Sequence, residues 1–193
     1  MGRPAKHSTD RLLDAAATLL AESGPAAVTM SAVARAAGAP SGSVYHRFPD
    51  RSALLSALWL RTLTRFQEGV LTTLAIDPPE LAVRRTARHA VDWARRHPGD
   101  AAVVAAGAEE LGAREWDDAA RESTRRGNAA VQEAIADVTR RLGGGDDRVA
   151  DRVILAVVDV PAAMIRRYLR SGRPIPSDAA DLAERAAAAL LMS

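Results

Sequence analysis

The chain has 193 residues, is 48% apolar but only 4% aromatic, and carries a net charge of +2 whose whole excess lies in residues 1–51. The absence of cysteine excludes disulfides and thiolate metal sites, and so small a charge is by itself weak support for a polyanion partner. No apolar run reaches the roughly 18 residues of a membrane span and no signal-peptide core opens the chain, so we expect a cytoplasmic protein without a membrane partner.

The first predicted helix begins near Ser8 or Thr9, whose hydroxyls can cap free amides, and stops at 23–25, Ser-Gly-Pro. Leucines and alanines at helical spacing give it one buried face: Leu12, Ala15, Ala16, Leu19 and Leu20. Before it, Arg3 and Lys6 lie in a polar arm, which is either a DNA-contacting arm or a plain tail.

Two short helices are predicted next. Thr29 is a plausible N-cap for the second helix, and Gly38 suits a left-handed turn after it. Pro40 fits the first turn of a third helix over residues 41–47, in which Val44 is an apolar anchor and the other side chains are small, hydroxylic, aromatic or basic. A helix this short is unstable alone, so its neighbours must hold it and its hydrogen-bonding outer face has a use.

Six longer helices follow, over about residues 51–74, 80–97, 100–111, 115–142, 147–170 and 177–192, with Pro- or Gly-containing breaks between most of them and no strand-like alternation. Asp50 is predicted to cap the first of them. The alanine and valine content of 100–111 predicts burial on several sides, and Pro161 predicts a kink inside 147–170. We therefore predict an all-α fold of about nine helices.

The stretch from Gly38 to Arg51, behind the segment 29–34, resembles the TetR family of transcriptional regulators. The spacing of Gly42, Tyr45 and Phe48 carries the resemblance, which is close over residues 9–60. It implies a helix-turn-helix DNA-binding domain over 1–52 and an effector-binding and dimerisation domain over 53–193. The chain departs from the family pattern in three places, namely Pro25, Pro40 and Arg47.

The resemblance also implies a set of DNA contacts. Thr29, Tyr45, His46 and Arg51 match phosphate-contacting positions, and residues 41–43 lie where base edges or phosphates come closest to the recognition helix. Packing is the alternative role for Tyr45, and plain solvation the alternative for His46 and Arg35. The predicted DNA-binding residues are Thr29, Arg35, Ser41, Gly42, Ser43, Tyr45, His46, Arg47 and Arg51.

The regulatory half is implied by the resemblance to hold an effector pocket in the fourth to seventh helices and a homodimer interface in the last two. The pocket candidates, each with core packing as its alternative role, are Trp59, Phe66, Trp93, Val104 and Met164. The low aromatic content favours an aliphatic effector over a flat polyaromatic one. The predicted interface residues are Val153, Val157, Val160, Met164, Leu182, Ala186 and Leu190.

An enzyme is the main rival class. None of the serine-elbow, zinc-protease or phosphate-loop motifs is present, and the four histidines are scattered without metal-ligand spacing. We therefore predict no catalytic residues, no metal and no cofactor. The prediction is a ligand-responsive repressor that binds a palindromic double-stranded DNA operator as a dimer and is released by a small-molecule effector, with a helical ligand-binding or adaptor protein as the other alternative.

Overall fold

The structure, a computed structural model, describes residues 9–143 and 147–192, so the predicted arm with Arg3 and Lys6 lies outside the described residues. Over these ranges the chain forms nine helices and no strand, which confirms the all-α prediction. We count as one helix, α8, the segments Asp147–Ile154 and Val160–Ser171 joined by a π-helical turn at Leu155–Asp159. The others are α1 (Thr9–Ser23), α2 (Met30–Ala36), α3 (Ser41–Tyr45), α4 (Arg51–Leu74), α5 (Pro79–Arg96), α6 (Pro98–Glu110), α7 (Asp118–Arg141) and α9 (Ala179–Met192).

Two compact units make up the chain. Among the described residues, the first unit comprises 9–63 and 98–124, and the second unit comprises 64–97, 125–143 and 147–192. The division falls inside α4 and α7 rather than at the boundary predicted after residue 52. That earlier boundary concerns DNA binding against effector binding, and it stays a prediction.

Large side chains fill the core of the first unit. Leu12 on α1, Val44 on α3 and Leu54 on α4 are completely buried, which ties the three helices together. Trp116, which follows α6, is also buried, and its indole N–H donates to the carbonyl of Leu111 at 3.2 Å. The helix-turn-helix is therefore packed against a core to which α6 and the start of α7 also contribute.

The core of the second unit consists mainly of alanine and valine, which lets its helices approach closely. Ion pairs reinforce the contact between α5 and α9. The Arg88 guanidinium pairs with Asp181 and, at 3.0 Å, with Glu184, and these hydrogen bonds raise the pKa of Arg88. Arg84 also bonds to Glu184 at 3.2 Å and Arg85 pairs with it at 3.7 Å, so one largely buried carboxylate serves three arginines of α5.

Two sequence-based helix predictions need correction. α7 begins at Asp118 instead of residue 115, because residues 113–115 form a 3-10 turn and the Asp117 carboxylate accepts from the backbone N–H of Ala120 at 2.7 Å, as an N-cap does. α6 is not buried on several sides, since only Ala101 and Val103 of that helix are buried. Its small side chains allow a close approach to α1 instead.

The predicted disturbance at Pro161 takes the form of a π-helical turn. The N–H of Val160 donates to the carbonyl of Leu155, five residues back, immediately before the proline. Proline has no N–H and its ring crowds the carbonyl four residues earlier, which costs about 3 kcal/mol in a regular helix. A change of hydrogen-bond register at this point reduces that conflict.

Candidate nucleic-acid interface

Thr29 opens the helix-turn-helix as an N-cap, as predicted. Its backbone is extended, and its hydroxyl oxygen accepts from the N–H of Ala32 at 3.1 Å. The same hydroxyl lies 3.3 Å from the hydroxyl of Ser31. Two serine or threonine hydroxyls thus meet at the N-terminal end of α2, where free N–H groups and the positive end of the helix dipole favour a phosphate.

The turn between α2 and α3 depends on one glycine. Gly38 has a φ of +61°, the left-handed region that costs a glycine least, which confirms the prediction for this position. The next N–H, that of Ala39, bonds back to the carbonyl of Ala34 at 2.9 Å and closes α2. Pro40 stands at the N-cap of α3, one residue before the first turn in which it was expected.

α3 is held from one side only. Val44 is fully buried and Phe48, just after the helix, is 95% buried in the same core. On the opposite side the predicted contact residues reach solvent, and the Tyr45 side chain is 57% exposed. Exposed with it are Ser41, Gly42 and His46, while Ser43 and Arg47 are half-buried.

Gly42 has no reason within the described chain to be a glycine. A Cβ built on it meets no atom within 4 Å, and its φ does not lie in the left-handed region. A glycine inside a helix costs about 1 kcal/mol relative to alanine. Nothing among the described residues therefore requires a glycine at this position.

Two arginines predicted to bind phosphate have bonds within the chain. The Arg47 guanidinium folds back and donates to the carbonyl of Ser43 at 3.0 Å, which satisfies one of the free carbonyls of α3. Arg51 donates through Nε to the carbonyl of Val28 at 2.8 Å and through Nη2 to that of Pro25 at 2.7 Å. Arg51 thus fixes the segment before α2 to the start of α4, a role that sequence reasoning missed.

The pocket candidates fall into both units. Trp59 is buried in the first unit, where its ring centre lies 6.3 Å from that of Trp116, and Val104 is half-buried there. In the second unit the rings of Phe66 and Trp93 have centres 5.0 Å apart, and Met164 is half-buried against the core. The structure therefore brings Phe66 and Trp93 together within one unit.

His89 of α5 and His97, which follows its last residue, extend this pair into an aromatic cluster, which sequence reasoning missed. His89 stacks on Phe66 at 6.2 Å, and His97 lies 5.4 Å from Trp93. Burial lowers the pKa of His89, and its Nε2 is buried without a hydrogen-bond partner among the described residues. The i, i+4, i+8 spacing of residues 89, 93 and 97 was the signal in the sequence.

The predicted dimer residues need a partial correction. Val153 and Val157 are buried in the core of the second unit itself, so neither offers surface to a partner. Val160, Met164, Ala186 and Leu190 are half-buried, and Leu182 is 51% exposed. The large apolar side chains that do face outward on α8 are Ile154, Leu155 and Val158.

Part of this chain is similar to a known protein family. The model of bacterial regulatory proteins of the tetR family matches residues 12–58, which span α1 to α3 and the start of α4. Over these residues the chain is similar to the TetR family. That family consists of transcriptional regulators and not of enzymes, which agrees with the absence of catalytic motifs from the sequence.

Similar proteins cover different lengths of this chain. Two uncharacterized HTH-type transcriptional regulators of Mycobacterium tuberculosis are 33% identical over 75 residues, which is 38% of this chain and 37% of each relative. The chain thus matches little more than a third of the length of these curated relatives.

Solved structures match over nearly the whole length. PfmR of Thermus thermophilus has a TM-score of 0.75 at 20% identity, covering 95% of this chain and 98% of PfmR. FadR of Bacillus subtilis, solved in complex with stearoyl-CoA, has a TM-score of 0.72 at 15% identity over 95% and 98% of the two chains. At such identities the likeness concerns the fold.

Proposed function

We propose that this TetR-family chain is a repressor that binds a palindromic DNA operator as a dimer. The observation that supports it most is the outward side of α3, where hydroxyl, aromatic and imidazole groups surround a glycine that the fold does not require. A glycine lets the backbone of a recognition helix come close to the bases of the major groove. Thr29 and Ser31 add hydroxyls at the N-terminus of α2, where phosphate is favoured.

Gly42→Ala separates a DNA-facing role from a folding role. We expect operator affinity to fall about tenfold or more, or at least about 1.4 kcal/mol, since the new methyl group stands between helix and groove. Stability should be unchanged or rise by up to about 1 kcal/mol, as for other glycines in helices. The measurements are fluorescence anisotropy on an operator selected from a genomic DNA library, and thermal unfolding.

The control for this experiment is an unrelated duplex of the same length. Binding to it depends on charge and salt, which Gly42→Ala leaves unchanged. Equal operator affinities for the variant and the native chain contradict the proposed contact. If the native chain selects no genomic fragment and shows no salt-dependent binding to any duplex, the proposal fails and an adaptor role takes its place.

Dimerisation is proposed through the outward apolar side chains of α8 and α9. Ile154, Leu155, Val158 and Leu182 are each 41–51% exposed, which is unusual for large apolar residues grouped on two helices of one unit. A two-fold dimer would place two recognition helices about 34–36 Å apart, one turn of DNA. Leu182→Glu should shift the sedimenting species toward the monomer, whereas Met192→Glu, at a residue 83% exposed, should not.

Release by an aliphatic small-molecule effector completes the proposal. The apolar residues of the second unit are mostly small and aliphatic, with Phe66 and Trp93 as the aromatic exceptions. FadR of Bacillus subtilis shares the fold and was solved with stearoyl-CoA, so a long-chain acyl-CoA is the first probe to test. An effector must bind the released state more tightly than the DNA-bound one.

Two measurements test the effector. Thermal shift should identify acyl chains among the stabilising compounds, and stabilisation by planar aromatic cations alone would contradict the aliphatic class. A stabilising acyl-CoA should then weaken operator binding in anisotropy titrations. Unchanged operator affinity at saturating ligand would contradict release.

A further inference from the structure

Arg61 of α4 lies at the junction of three helices of the first unit. Its side chain is only 11% exposed. One terminal nitrogen, Nη1, pairs with the Asp14 carboxylate of α1 at 2.7 Å and donates to the backbone carbonyl of Asp10 at 3.0 Å. The other, Nη2, faces the Asp100 carboxylate in the first turn of α6 at 3.5 Å. A single guanidinium thus contacts α1 and α6 at once.

The two sides of this junction differ in burial. The carboxylates of Asp10 and Asp14 are 67% and 63% exposed, so water can solvate both of them without Arg61. The Asp100 side chain is 12% exposed and also accepts from the Thr62 hydroxyl at 3.3 Å. Charges withdrawn from water depend on their partners far more than surface charges do. The Arg61–Asp100 side of the junction therefore has the larger influence on geometry.

The Arg61–Asp100 contact is also loosely made. At 3.5 Å it is a Coulombic contact, and Nη2 has no hydrogen-bond partner among the described residues. A small displacement of α6 toward or away from α4 would change this contact strongly, because the surroundings are poor in water. The Asp14 bond on the other side, at 2.7 Å, is already of ideal length.

A close approach between α1 and α6 accompanies the Arg61–Asp100 contact. A Cβ built on Gly99 of α6 would lie 3.4 Å from the Cβ of Ala17 on α1 and 3.5 Å from its backbone carbonyl. The first turn of α6 thus lies close to the backbone of α1.

We propose that Arg61 is a positioning residue through which the first turn of α6 sets the orientation of α1, and with it the recognition helix. α1 carries five buried residues of the core that also holds Val44 and Phe48, so a tilt of α1 moves the apolar support of α3. The inference rests on the proposed DNA-binding function. It adds a specific residue that connects α6 to α1.

Asp100→Asn is the central test, because it removes the charge and keeps the shape and an acceptor for Thr62. The matched control is Glu109→Gln, which removes the same charge from an exposed position on the same helix. We expect Asp100→Asn to weaken operator binding about tenfold more than the control does, within the usual range of coupling between sites. Affinity for an unrelated duplex should be equal in the two variants, since their net charges are equal.

A readout without DNA distinguishes failure of this inference from failure of the proposed function. Amide hydrogen exchange in α1 should be faster in Asp100→Asn than in Glu109→Gln, even if no operator is found. Equal exchange and equal operator affinity in the two variants would overturn the inference. A parallel loss of affinity for operator and unrelated duplex would also overturn it, because it would indicate general damage.

Arg61→Lys provides the second variant in case Asp100→Asn folds poorly. A lysine keeps the charge but has a single ammonium group, which cannot reproduce two separate contacts in a fixed geometry. We expect intermediate operator affinity and intermediate exchange in α1. Full native behaviour of Arg61→Lys would show that charge alone is needed and would contradict positioning by the guanidinium.

Discussion

The two compact units achieve burial in different ways. The first relies on leucines and on the large rings of Phe48, Trp59 and Trp116, and it leaves a polar recognition face on α3. The second relies on alanine and valine packed closely between helices, with ion pairs between α5 and α9. Since buried area sets most of the stabilisation, each core residue of the first unit contributes more. Small side chains, each with fewer contacts, would suit the proposed binding of an effector by this unit.

The largest expected effect tests this contrast directly. Leu54→Ala in the first unit should lower the free energy of unfolding by about 2–5 kcal/mol, because it leaves a cavity at a fully buried site. Val83→Ala, equally buried in the second unit, should cost about half as much, since fewer methyl groups are lost. Chemical denaturation measures both, with Met192→Ala as an exposed control. Equal losses of stability at the two sites would contradict the expected difference between the two cores.

A medium effect is expected from the ion pairs of the second unit. Glu184→Gln removes the carboxylate that accepts from Arg84 and Arg88, and should lower stability by about 1–2 kcal/mol. The arginines are about 40% exposed, which keeps the loss below that of a fully buried pair. Asp118→Asn, at a 99% exposed carboxylate paired with Arg121, should change stability by less than about 0.5 kcal/mol. A Glu184 variant as stable as this control would show that close packing alone holds α5 against α9.

The smallest effect concerns pH. Burial lowers the pKa of His89, so the unfolded chain binds a proton more readily than the folded one. The stabilisation that neutral His89 contributes is fully present above the ordinary histidine pKa of 6.5, and it decreases as pH falls below that value. The melting temperature of His89→Gln should therefore fall less between about pH 7.5 and pH 5.5 than that of the native chain.

Sequence reasoning succeeded where local chemistry decides the structure. The bounds of α4 follow from the Asp50 cap, whose carboxylate accepts from the N–H of Ala53 at 2.8 Å, and from regular apolar spacing. Thr29 and Gly38 were placed correctly for the same reason, since an N-cap and a left-handed turn depend on neighbouring residues only. Secondary structure and the helix-turn-helix were therefore largely predictable.

Sequence reasoning was less successful where segments that are far apart along the chain meet in the fold. Arg61 is 47 residues from Asp14 and almost as far along the chain from Asp100, so no local pattern indicates their contact. On α8, apolar residues occur on more than one side, and periodicity cannot tell the side facing the unit's own core from the side facing outward. Val153 lies on the side facing the unit's own core, and the π-helical turn at 155–159 shifts the sequence periodicity further.

The distribution of the three tryptophans gives the chain built-in optical probes. Trp59 and Trp116 report on the first unit, whereas Trp93 lies in the second unit beside an imidazole ring. In a Trp93→Phe chain all tryptophan emission would come from the first unit. Paired with the native chain, it would let stopped-flow fluorescence time the response of each unit separately after an effector or DNA is added.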